Sequence, residues 1–131
     1  MGDNAKKALI DGLNGLLADH LALYMKTKNF HWHVKGPQFR ELHLLFDEQA
    51  AEIFGNVDII AERVRKIEGT TLTSIASIME KTKVEDQHSA DLEAMDMVSQ
   101  LRDDNAQMVK TLKELKELVN HFILKIYKNT L

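Results

Sequence analysis

Three of the chain's six histidines, His31, His33 and His43, fall in one short stretch around a Gly36-Pro37 break, and Asp47 stands one helical turn beyond His43. A second turn-spaced pair, Asp58 and Glu62, follows further along. Imidazole and carboxylate together are the donor set of first-row divalent ions such as Fe(II), and of zinc. The chain has no cysteine, which excludes disulfides, thiol catalysis and cysteine-held metals. Any metal chemistry must therefore run on His and carboxylate.

The elements that position these residues are read from periodicity. Leu9, Leu16, Leu23 and Phe30 recur every seven residues, with Leu13, Leu17, His20 and Tyr24 between them, which predicts one long helix capped by Asp3 or Asn4 and ending near Val34. Gly36-Pro37 stops it. A second helix is predicted from about Phe39 to Glu68 with Gly69 as its stop, then a short one over Ser74 to Lys81, then a third long helix over roughly Asp91 to Asn120.

At about 100° per residue the second helix divides into three stripes. Phe39, Leu42, Phe46, Ile53, Val57, Ile60 and Val64 are predicted to face the subunit's own core. Glu41, Glu48, Glu52, Asn56, Arg63 and Lys66 are predicted to be solvated. Between them lie His43, Asp47, Asp58 and Glu62, with Leu44, Ala51 and Phe54.

One metal cannot take all four donors from one chain, because the 43/47 and 58/62 pairs lie about 22 Å apart along the helix, at about 1.5 Å per residue. A two-fold axis near Glu52 and Ile53 resolves the difficulty. His43 and Glu62 are equidistant from that midpoint, as are Asp47 and Asp58, so two antiparallel copies of the helix would form two identical shared sites. Ala51 then meets Phe54, and Ala50 meets Gly55, small residues where two backbones cross. Isologous dimers require this self-complementarity. Taken singly, each feature has an ordinary explanation: Asp58 and Glu62 as surface charge, His31 as a packed histidine, Trp32 as core. Their conjunction on one half-apolar stripe, with His31 at the end of the preceding helix, points to a metal site.

At 131 residues, 44% hydrophobic and 28% charged, the composition predicts a single domain over residues 1–131, and one proline with six glycines favours the all-α class. The first ten residues lack the apolar run of a signal peptide and the pattern of a myristoylation site, so a cytoplasmic location and no membrane partner are expected. Net charge is −3 and no basic arm is present, so DNA binding is not expected.

The segment "KNFHWHVKGPQFRELHLLFDEQAAEIFGNVDIIAERVRKIEG", Lys28 to Gly69, resembles the signature of the Dps family, the mini-ferritins. The NFHW element, the His-x-x-x-Asp of His43 and Asp47, and the Asp-x-x-x-Glu of Asp58 and Glu62 stand in register, and general similarity runs from Leu9 to about Val119. The resemblance implies a ferritin-like helical bundle, assembled as a hollow twelve-subunit shell, that oxidises Fe(II) and stores ferric mineral. It also implies that His31, His43 and Asp47 come from one subunit while Asp58 and Glu62 come from its mate. One departure stands out. A fourth long helix is expected in the family after a turn near Asn120, whereas "NHFILKIYKNTL" leaves room for only a short one or none, which would uncover apolar faces of the other helices.

The implied ligand set of two imidazoles and three carboxylates suits Fe(II) and stabilises the ferric product, with hydrogen peroxide or dioxygen as electron acceptor. Trp32, beside His31, either takes up a stray electron or simply packs, and acids such as Glu41, Glu48 and Glu52 are candidates for nucleating mineral. The alternative is a non-catalytic helical dimer in which the same ligands hold a redox-silent structural zinc.

Overall fold

The computed structural model describes residues 2–130, with side chains described as far as Leu124, Phe122 excepted. Five α-helices account for the described regular structure: α1 (Asp3–His33), α2 (Phe39–Gly55), α3 (Val57–Lys66), α4 (Ile75–Lys81) and α5 (Ala94–Thr130). The all-α expectation holds.

α1 is the spine. Its N-cap is Gly2, so Asp3 sits inside the first turn, where its charge complements the helix dipole rather than capping by side chain. Leu9, Leu16, Leu23 and Phe30 are all buried, as the seven-residue spacing predicts. The helix closes with the Val34 amide donating to the Phe30 carbonyl, and Gly36 then takes φ 104°, a left-handed conformation that suits glycine. Pro37 follows, and α2 returns antiparallel along α1.

The second predicted helix is interrupted. At Asn56 the amide reaches back to Ile53, three residues away, so α2 and α3 form one rod with a tightened turn at Gly55-Asn56. Its core stripe behaves as expected at Phe46, Ile53, Ile60 and Val64, all buried, and its predicted solvated stripe is exposed throughout. Two residues depart. Phe39 is 45% exposed and leaves the core, and Ala50 is buried within its own subunit, so it cannot meet Gly55 of a second copy.

Polar side chains of α1 support the irregular segments. Asn14 donates to the Thr70 carbonyl, Asp19 accepts from the Thr82 hydroxyl and the Lys83 amide, and Asn29 donates to the carbonyls of Gln87 and Ser89. These bonds satisfy backbone groups that no helix satisfies. α4 begins with Ser74 and Ser77 capping each other's amides.

α5 packs antiparallel on α1, Leu115 meeting Gly12 and Asp104 meeting Lys26. Against the expected end near Asn120, it continues without a turn to Thr130. No glycine or proline follows Gly69, so nothing in the sequence stops it. Among the described residues there is no fourth long rod, and α5 makes its substantial contacts with α1 rather than with α2 or α3. Val109, Leu112, Val119 and Ile123 accordingly stand exposed on one face of α5, at helical spacing. No described helix is long and apolar enough to cross a membrane.

Candidate metal centre

The end of α1 and the first turns of α2 bring His31 and His43 together. Their rings stack at 3.9 Å between centroids and 18° between planes. Each ring also bonds to the other's backbone: Nδ1 of His31 donates to the His43 carbonyl at 2.6 Å, and Nδ1 of His43 donates to the His31 carbonyl at 2.8 Å. A carbonyl can only accept, so both Nδ1 atoms carry a proton, and in the neutral ring this leaves the lone pair on Nε2. That is the form in which imidazole ligates a metal.

Asp47 lies one turn beyond His43, with Oδ1 3.8 Å from Nε2 of His31. Lys28, one turn before His31, donates to the same oxygen at 2.9 Å, and its ammonium also lies 5.7 Å from the centre of the Trp32 ring. This bond and the charge of the ammonium hold the Asp47 carboxyl below the usual carboxylate range. Phe39 stacks on the open face of His43, at 5.0 Å and 24°. Sequence reasoning assigned Phe39 to the core and passed over Lys28; the one-turn spacings of Lys28 to His31 and of Phe39 to His43 were the available signals.

Asp58 and Glu62 lie on α3, on the far side of the Gly55-Asn56 turn, and both are exposed. Among the described residues no three His, Asp or Glu side chains surround a common point as metal ligands. The chain brings His31, His43 and Asp47 near one another without converging them on one point, and leaves Asp58 and Glu62 apart. Leu44, Ala51 and Phe54, which share the stripe, are exposed as well; Phe54 is steadied by Tyr24 of α1 at 5.0 Å. Trp32 is 55% exposed and is not core. His20 is buried, with Nδ1 donating to the Leu16 carbonyl, and His33 is exposed and tied to Asn29. Neither joins the cluster.

Residues 10–121 match the family model of the ferritin-like domain. A DNA protection during starvation protein of Brevibacillus brevis is 34% identical over 108 residues, covering 82% of this chain and 72% of that protein. A low temperature-induced protein of Nostoc is 37% identical over 113 residues, and there the chain spans only 63% of its relative's length. In three dimensions the chain is similar to the crystal structure of a Dps protein from Bacillus brevis, with TM-score 0.87, 31% identity, and coverage of 92% of this chain and 80% of that one. The helical bundle, the register of its histidines and carboxylates and these likenesses converge: the chain belongs to the ferritin-like domain family and, within it, to the Dps proteins.

Proposed function

We propose that the protein is a ferroxidase and iron-storing mini-ferritin whose sites are shared between two-fold-related subunits. His31, His43 and Asp47 of one subunit and Asp58 and Glu62 of its partner would bind Fe(II), the substrate. Hydrogen peroxide, or more slowly dioxygen, would take the electrons. With peroxide the balance is simple: two Fe(II) give one electron each, two protons are taken up, and two waters form. Ferric product would then accumulate as mineral within a twelve-subunit shell, removing both reagents of oxidative damage together.

The observation that carries this reading is the split of the donor set. His31, His43 and Asp47 are gathered on a surface where Ala51, Phe54, Asp58 and Glu62 are also exposed, and the two halves are too far apart to serve one ion within one chain. The His31 and His43 rings present Nε2 lone pairs, Asp47 supplies negative charge toward Fe(III), and the apolar Leu44 and Phe54 would exclude bulk water once a partner covers them.

Anaerobic loading with Fe(II) followed by peroxide tests it by ferric absorbance. His43→Ala and Asp58→Ala should each abolish the signal, while subunit exchange between the two inactive proteins should restore it, because each mixed dimer keeps one intact site and one doubly damaged one. Demonstrated mixed dimers that stay inactive would overturn the shared site. Metal uptake without any ferric signal would instead indicate a redox-silent structural site.

A further inference from the structure

Resting on that reading of the site, we propose that Phe39 is a positioning residue: with the reciprocal carbonyl bonds of His31 and His43, it fixes both imidazoles in their ligating form before any metal or partner subunit arrives.

Three aromatic rings form a column, Phe39 on His43 and His43 on His31, with separations of 5.0 and 3.9 Å and near-parallel planes. Phe39 is 45% exposed, so burial explains little of its presence, and its ring covers the one face of His43 that His31 leaves open. The covering matters because His43 Nδ1 must donate to the His31 carbonyl for Nε2 to stay bare. Without the stacked ring His43 is free to turn about its side-chain bonds and carry the in-plane Nδ1–H away from the His31 carbonyl. A flat aromatic ring stacked face to face resists that turn, whereas an aliphatic side chain offers no plane to match. His31 is affected through His43, since the two rings stack at 3.9 Å. The two histidines thereby hold each other, and Phe39 closes the stack.

Phe39→Leu keeps an apolar side chain and removes the ring; Phe39→Tyr keeps the ring. Histidine nitrogen chemical shifts of the metal-free chain at mildly alkaline pH report the tautomers directly, and Co(II) alone, followed by its visible absorption, reports affinity. In the wild type and in Phe39→Tyr, His31 and His43 are expected to show protonated Nδ1 and bare Nε2, with equal Co(II) affinity. In Phe39→Leu, His43 is expected to exchange between tautomers and Co(II) to bind about tenfold more weakly, the low end for loss of an outer-shell partner, with unchanged helical circular dichroism. The proposal is overturned if Phe39→Leu keeps the wild-type tautomers and affinity, or if the wild type itself carries its protons on Nε2. A wild type with the stated tautomers that takes up no Co(II) would support the fixed histidines and remove the metal-site reading instead.

Discussion

The ammonium of Lys28 rests 2.9 Å from Oδ1 of Asp47, so the carboxylate of the proposed half-site already holds a cation. A metal ion that uses that oxygen must displace it. Lys28→Met is therefore expected to raise Co(II) or Zn(II) affinity by about two- to fivefold, the scale of an exposed ion pair, and to flatten its dependence on salt. Titrations at low and high ionic strength check this, and an unchanged affinity would mean that the metal leaves that oxygen to Lys28.

Ala51 is exposed in the single chain and shares the stripe with Phe54, whose ring is 53% exposed. Ala51→Glu places a charge and extra volume where two copies are proposed to cross, while touching nothing in the subunit's own core. Sedimentation should show the dimer lost with helical circular dichroism retained. A variant that remains associated and still oxidises iron would move the seam to another face.

Two glycines of α1 should respond oppositely to alanine. A Cβ at Gly12 would stand 2.4 Å from Cδ2 of Leu115, whereas one at Gly15 meets nothing within 4 Å and opens on a cleft of about 390 Å³ between α1 and α5. Gly15→Ala should stabilise the fold by about 0.5–1 kcal/mol through helix propensity. Gly12→Ala should destabilise it, overpacking of about 1–3 kcal/mol outweighing the same gain. Urea melts of both variants decide the signs.

Lys26 and Asp104 tie α1 to α5 from the inside. Their charged atoms are 2.8 Å apart with side chains only 4% and 11% exposed, and Lys26 also donates to the Glu85 carbonyl. Asp104→Ala strands a buried ammonium and should cost about 3–5 kcal/mol, whereas Lys26→Met with Asp104→Leu together should cost less than either single change. A double-mutant cycle by chemical denaturation measures the difference.

Lys35, on the turn after α1, pairs with Asp91 ahead of α5. The contact lowers the Asp91 pKa and raises that of Lys35. A lowered carboxyl stabilises the fold above its ordinary value of about 3.9 and loses that contribution as pH falls through the depressed one; a raised amine stabilises below about 10.4 and loses its contribution as pH climbs through the elevated one. The pair should therefore help across the neutral range and fade at both extremes. Melting curves of Asp91→Asn should lie slightly below the wild type near neutrality and converge with it in strong acid.

Much of this was legible in the sequence because helices announce themselves by recurrence. The buried row Leu9, Leu16, Leu23 and Phe30, the stop at Gly36-Pro37 and the short helix that follows Ser74 are local facts that neighbouring residues dictate. The turn at Asn56 was not legible, since a helix tolerates an interior glycine at modest cost and Gly55 gives no sign of which outcome prevails. Phe39 was misplaced for a different reason. A helical wheel assigns a residue to a face but cannot see that at the start of α2 the core reaches Leu42 and not Phe39, and that His43, one turn on, offers a ring to cover. The expected end of α5 near Asn120 followed the apolar recurrence, which closes at Leu118, while the residues after Asn120 contain no helix breaker of their own.

The turn that carries Gly36 at φ 104° has a consequence for biosynthesis. It joins His31 to His43 through a short hairpin, so the proposed half-site needs no contact from distant sequence, and such local contacts form fast. Once residues through Asp47 have left the ribosome, both imidazoles and their carboxylate can assemble while α5 is still untranslated. A nascent chain would then meet cellular metal with three of its five proposed ligands, and Lys28, translated before either histidine, would already be there to occupy the carboxylate until a second subunit arrives.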